Sequence, residues 1–193
     1  MNRSVLLLFA LFAGPVVSSP RGSIARGAPD STPPAINATA AALVNHELAS
    51  MDGKKMTLSS LRGDVLVVNF WATWCAPCRK ELAVFDAWNS EWKNRGTRVV
   101  AISIDRDARK VRRFAEDMAL SLLVVHDGPD GLARSLDLPS VPCTYLLDRD
   151  GNVISIVKSS DAGELAALKA KVDSMMRGAQ SAGMGAGSNG DSR

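Results

Sequence analysis

Residues 69–82 read NFWATWCAPCRKEL, and this stretch holds two of the chain's three cysteines, Cys75 and Cys78. Ahead of the pair runs DVLVVNFW (64–71), a continuous apolar segment that reads as a buried strand. Behind it, apolar residues recur at Leu82, Phe85, Trp88 or Asn89, and Trp92, near helical spacing. The cysteines therefore open a helix directly after a core strand. Structural zinc sites use four ligands, commonly two such pairs or one pair with two histidines. Here one pair faces a distant Cys143, with His46 and His126 far apart in sequence. A purely structural disulfide over two intervening residues closes a tiny loop, for which chain-entropy models give the least stabilisation. A reactive dithiol fits best. A helix N-terminus carries partial positive charge and unpaired N–H groups, so it stabilises Cys75 as the nucleophilic thiolate. Pro77 has its φ preset for the first helical turn, where a missing N–H does little harm. Cys78, one turn inward, is placed to resolve a mixed disulfide.

Outward from this stretch, strand and helix signals alternate. ELASMDGKKMTL (47–58) carries an Asp52-Gly53 turn between short runs, a hairpin signal. TRVVAISI (97–104) and SLLVVH (121–126) read as buried strands, separated by an amphipathic helix, DARKVRRFAEDMAL (107–120), with Val111, Phe114, Ala115 and Met118 inward. DGLARSLDL (130–138) reads as a short helix. CTYLLD (143–148) and NVISIV (152–157) are strands joined at the DRDG turn, and AGELAALKAKVDSMM (162–176) is a closing helix. This order predicts an α/β domain, a sheet with helices on both faces.

The ends differ in composition. MNRSVLLLFALFAGPVVSSP (1–20) has a positive start, a short apolar run and small residues after it, the pattern of a secretory signal. Removal by cleavage and retention as an N-terminal membrane anchor both stay open. Residues 1–19 are assigned to this segment, 20–42 to a flexible linker, 43–176 to the domain, and 177–193, rich in Gly, Ser and Ala, to a disordered tail. Export implies an oxidising compartment, in which exposed thiols pair unless something reduces them. A net charge of +3 over 193 residues is too small to imply nucleic acid as a partner.

The quoted segment resembles the active-site segment of the thioredoxin superfamily, and within it the exported thiol–disulfide oxidoreductases of the TlpA/ResA type. The resemblance extends over MDGKKMTLSSLRGDVLVVNFWATWCAPC (51–78) and SVPCTYLLDRDGNVI (140–154), and covers roughly residues 43–176. It implies a thioredoxin-like fold with a central mixed sheet, helices on both faces and an added N-terminal hairpin. It also implies a cis Val141–Pro142 bond against the dithiol, in a loop that offers backbone groups to a bound substrate strand. It places Glu81 beside the inner cysteine as a proton relay with a pKa raised by burial. Asn69 stands where cytosolic thioredoxins carry a buried Asp. Trp74, Ala76, Pro77, Val141 and Pro142 become the candidate substrate-binding residues, and Cys75, Cys78 and Glu81 the candidate catalytic ones.

The resemblance implies protein disulfides as substrates, such as the haem-attachment cysteines of an apocytochrome c or a copper-site assembly protein in the periplasm. It further implies a membrane electron donor, with no cofactor and no resident metal. Net reduction is favoured over oxidation, because the dipeptide Ala76-Pro77 has no His or Lys to hold the Cys75 thiolate further. A Cu(I) chaperone using the same soft ligands is the alternative. A thiol peroxidase would need a low-pKa cysteine in a peroxide-shaped pocket, and the intact pair points elsewhere. The basic run from Arg106 to Arg113 reads as a solvated helix face. Cys143 stands where most relatives have Thr; it reads as a small buried apolar residue, with a third redox thiol exchanging with Cys75 or Cys78, or completing a metal site, as the alternative.

Overall fold

The computed structural model describes residues 34–184. The signal or anchor segment, most of the expected linker and residues 185–193 lie outside that range. Seven strands form one sheet in the order β2-β1-β5-β4-β3-β6-β7. They are β1 (Leu48–Ser50), β2 (Lys55–Met56), β3 (Val65–Trp71), β4 (Thr97–Ser103), β5 (Leu123–His126), β6 (Cys143–Leu147) and β7 (Val153–Val157). β3, β4 and β5 are parallel. β6 pairs antiparallel with β3, β7 with β6, β1 with β5 and β2 with β1. The sheet is thus mixed, and the chain between 48 and 56 forms its outer hairpin.

β3 is central and buried along its whole length, which is why it reads as an unbroken apolar run rather than an alternating one. Its side chains still alternate between faces. Val65, Val67 and Trp71 join the core under the helices α2 (Ala76–Trp92), α3 (Ala108–Asp117) and α5 (Ala162–Met184). Leu66, Val68 and Phe70 join a second core that includes Leu43, Leu58 and Leu132. Those three come from α1 (Pro34–Asn45), a 3-10 turn (Leu58–Leu61) and α4 (Leu132–Ser135). Helices therefore cover both faces of the sheet.

Three sequence expectations need correction. Residues 34–45 are helical, although the linker was expected to run to Ala42. Pro34 sits where a helix tolerates a missing N–H, and the segment is rich in alanine, the strongest helix former. Ala40, Leu43 and Val44 are buried at i, i+3 and i+4, so tertiary packing holds a helix whose composition looks like a spacer. Its Val44 lies against Gly151, whose φ of +87° closes the turn before β7. The closing helix runs to Met184 rather than stopping at Met176, a residue that is itself buried. Met118 is 43% exposed rather than inward. α3 ends at Asp117, and the chain turns away through Ala119 at φ +48°. Among the described residues no helix is long and apolar enough to cross a membrane.

If α1 belongs to the fold, Leu43→Ala should lower unfolding stability by about 2–5 kcal/mol, whereas Ala41→Ser on its exposed side should change it by less than about 1 kcal/mol. Urea titrations of the two variants check this. Equal stabilities would return residues 34–45 to a spacer.

Candidate active site

The turn after β3 delivers both cysteines to the tip of α2. Cys75 is the N-cap residue, with β-region dihedrals and a sulfur that accepts from the Cys78 amide at 3.2 Å. This satisfies one of the amides that every helix start leaves unpaired. Cys75 and Cys78 are joined in a disulfide, with Cα atoms 5.3 Å apart. They are unequal in access: Cys75 retains 5% exposure and Cys78 none. Ala76 and Pro77 between them are exposed, and Trp74 is 68% exposed.

The Val141–Pro142 peptide is cis. Its Val141 carbonyl oxygen lies 3.8 Å from Cys75 Sγ. In the disulfide the sulfur has no proton to donate, so this is a contact. A Cys75 thiol at the same place would have an acceptor. Pro142 is buried and Val141 half-buried. The structure thus brings Cys75, Cys78, Ala76, Pro77 and Val141 to one place.

Asn69 and Glu81 meet under the dithiol for a reason that starts in β3. The alternation that sends Val67 and Trp71 toward α2 sends Asn69 there as well. Glu81 is one turn beyond Cys78 on the buried face of α2. Asn69 Nδ2 donates to Glu81 Oε2 at 3.2 Å and to Thr144 Oγ1 at 2.9 Å. Thr144 stands opposite Asn69 in the β3–β6 register, which puts the two side chains on one face. Glu81 is 2% exposed, and its Oε1 and Asn69 Oδ1 have no partner within the described residues. Burial pushes the Glu81 carboxyl up from 4.5 to about 7, against a smaller opposing effect of the Asn69 hydrogen bond. An open groove of about 460 Å³ is lined by Ala76, Pro77, Lys80, Glu81, Val84 and Leu165 among others. A separate cleft of about 660 Å³ is lined by Met51, Asp52, Arg112 and Leu120 among others and holds none of the residues of the dithiol site.

Sequence reasoning missed the clamp that holds this tip. Asp105 is 3% exposed and follows the C-terminal end of β4. Its carboxylate accepts from Thr73 N at 2.9 Å, Thr73 Oγ1 at 2.6 Å and Ser103 Oγ at 2.8 Å. Its carbonyl is 2.7 Å from His126 Nε2. The loop leading into Cys75 is therefore tied to β4 through the Asp105 carboxylate and to β5 through the Asp105 backbone carbonyl. The signal available was an Asp closing a buried strand, and it was hidden by the charged residues that follow. His46, which carried no assignment, lies 2.6 Å from Asp127 Oδ1.

Cys143 begins β6 fully buried, but on the other side of the sheet. It pairs with Phe70 and packs in the core of α1 and α4, while Cys75 and Cys78 belong to the core of α2. Burial pushes its thiol up to about 11. Trp71 is in the core, and Trp92 is buried with its Nε1 donating to Asp173.

Residues 39–156 match the family model described as the AhpC/TSA family. The thiol–disulfide oxidoreductase ResA of Geobacillus kaustophilus is 30% identical over 128 residues, 66% of this chain and 72% of that protein. ResA of Bacillus thuringiensis is 28% identical over 120 residues, 62% and 69% of the two chains. Among solved structures, a candidate thiol:disulfide interchange protein DsbE from Chlorobium tepidum superposes with a TM-score of 0.63 at 26% identity. The match covers 67% of this chain and 92% of that one.

Two measurements follow from this geometry. Between about pH 4.5 and pH 7 the folded protein holds a proton on Glu81 that the unfolded chain has released, so stability is fullest below the first value and is lost as pH rises through the second. The shift from 4.5 to about 7 corresponds to about 3 kcal/mol at 1.36 kcal/mol per unit. The stability of the oxidised wild type relative to Glu81→Gln should therefore fall by about that amount between about pH 4 and pH 8. Parallel curves would put Glu81 at its ordinary value. Cys143 should resist alkylation in the folded protein under conditions that modify reduced Cys75 fully, as peptide mapping would reveal. Fast labelling of Cys143 would mean that its side of the sheet opens.

Proposed function

The chain belongs to the AhpC/TSA family and is a thiol–disulfide oxidoreductase of the ResA and DsbE type, and from that premise we propose that it reduces disulfides of exported proteins. The observation that carries the reading is the inequality of the two sulfurs. Cys75 caps the helix and keeps a path to solvent, whereas Cys78 is sealed behind it. The outer sulfur is the one a substrate can reach, and it is the one that the Cys78 amide and the helix terminus stabilise as an anion.

In the reduced protein the Cys75 thiolate attacks one sulfur of the substrate disulfide. A Cys75–substrate disulfide forms, the substrate S–S bond breaks, and the departing substrate thiolate takes up a proton. Cys78 then loses its proton to the Glu81 carboxylate and attacks Cys75 Sγ. The second substrate thiolate leaves, and the Cys75–Cys78 disulfide remains. Two electrons have passed to the substrate, and the two substrate thiols hold the two protons once Glu81 returns its own through the groove beside Pro77. A carboxyl whose pKa is near 7 is matched to this exchange at neutral pH. The neighbouring Val141 carbonyl supports the reading that residues 141–142 offer backbone groups to a substrate strand, with Trp74, Ala76 and Pro77 forming the exposed rim.

Each turnover leaves the protein oxidised, so a dithiol donor has to restore it. The signal-like first residues support placing the reaction outside the cytoplasm, in the periplasm, with the donor in the membrane and the chain either released or anchored by its N-terminus. A disulfide between the haem-attachment cysteines of an apocytochrome c, or one in a copper-site assembly protein, is a substrate of the right chemistry. Net reduction agrees with the Ala76-Pro77 dipeptide, which adds no cation to hold the thiolate.

Cys78→Ser removes the resolving thiol and should accumulate a mixed disulfide between Cys75 and the substrate protein. Cys75→Ser should accumulate none. Non-reducing electrophoresis followed by peptide mapping reads both, and equal trapping by the two variants would overturn the assignment of Cys75 as nucleophile.

A further inference from the structure

Trp74 borders a second groove, about 410 Å³, on the side of the site away from Glu81. Ile104, Arg106, Asp107, Lys110 and Pro129 line it with Trp74. The indole is 68% exposed, and a large aromatic surface of that kind is suited to a partner with both apolar and polar groups.

The lining carries two carboxylates, Asp105 and Asp107, and two cations, Arg106 and Lys110, and only the carboxylates have partners within the protein. Asp105 reaches it from below, but its carboxylate is buried and occupied by Thr73 and Ser103. Asp107 caps α3 by accepting from Arg109 N at 3.0 Å and holds the Arg109 guanidinium through two bonds of 3.0 Å each. Both carboxylates are thus committed within the protein. Arg106 and Lys110 are exposed, and neither side chain makes a hydrogen bond or ion pair among the described residues. The Lys110 amide donates to the Asp107 carbonyl at 3.0 Å, but its ammonium acts on Asp107 only through its field. Two free cations therefore stand beside one free indole. The Thr73–Asp105 clamp ties this groove to the loop that leads into Cys75.

We propose that this groove takes the polypeptide flanking the substrate's reacting cysteine, and that it selects a flank carrying Asp or Glu beside an apolar residue. A polypeptide is the occupant because Trp74, which borders the groove, directly precedes Cys75 in the chain, so a substrate chain held by Cys75 has this surface beside it. The acidic character follows from charge complementarity with Arg106 and Lys110. The inference rests on the oxidoreductase reading above and names the substrate class for that same site.

Two synthetic peptides test it, each closed by one disulfide and identical except for an Asp-Phe-Glu or a Lys-Phe-Lys flank. The pre-reduced full chain is mixed with each, and acid-quenched alkylation gives the rate. Each rate is divided by that of dithiothreitol on the same peptide, to remove differences in intrinsic reactivity. The wild type should reduce the acidic peptide about threefold to tenfold faster at low ionic strength. The ratio should shrink toward one at about 0.5 M salt. Arg106→Glu combined with Lys110→Glu changes only exposed side chains and should invert the preference. Equal normalised rates for both peptides, or a preference that the double variant keeps, would overturn the inference alone. A protein that reduces neither peptide would overturn the oxidoreductase reading as well.

Discussion

Seven consecutive residues of β3 are enclosed on both faces of the sheet, and the site is referenced to that strand. A segment with no exposed edge and no exposed face has one register and one direction. The turn at its C-terminal end therefore has a fixed origin, and α2 starts from it with Cys75 as its cap. The same enclosure forces Asn69, the one polar residue in the strand, into the core of α2. There it would be costly unless hydrogen-bonded, and Glu81 and Thr144 are what it meets. The acid that sits under the dithiol is thus a consequence of where a buried strand places its single amide.

The two cysteines acquire different chemistry from one helix turn. Cys75 occupies the cap position, where amides point outward and a sulfur anion is welcome. Cys78 belongs to the inward stripe with Leu82 and Phe85, where an anion is not. Charge on the inner sulfur therefore needs a nearby base, and the inner base is the carboxyl whose ionisation burial has delayed toward neutrality. The outer sulfur needs only the amides of the helix N-terminus. Two grooves flank this pair: one is lined in part by Glu81, and the other sets an exposed indole beside free cations.

The clamp at Asp105 belongs to the same logic of position. A nucleophile on a loop is only as well placed as the loop, and residue 73 is held twice by a carboxylate that is itself held by Ser103. Because β4 lies next to β3 in the sheet, the clamp is a short lateral tie, and the site is braced from the strand that follows it in the chain. Cys143 shows the converse. It is close in sequence to Pro142, yet the alternation of β6 sends its side chain through the sheet to the opposite core.

The amino-acid sequence by itself determined the strand–dithiol–helix unit, the alternation of strands and helices around it, and the identity of both sulfurs. These are local: an apolar run, a three-residue spacing and a helical period are properties of neighbouring residues. It also marked Glu81, through the family resemblance and through its place three residues after Cys78 on the same helix. Only the tertiary structure decided that residues 34–45 are a packed helix, since an alanine-rich segment reads the same whether or not a groove exists to receive Leu43. Only the fold separated Arg106 and Lys110 from the other cations of their run, because what distinguishes them is the Trp74 they stand beside. Thr73 with Asp105, and Asn69 with Thr144, are likewise pairs made by strand order and register. Hydrogen bonds between residues 32 and 75 positions apart leave no periodic trace in the chain. They come into existence only when the sheet sets those strands side by side.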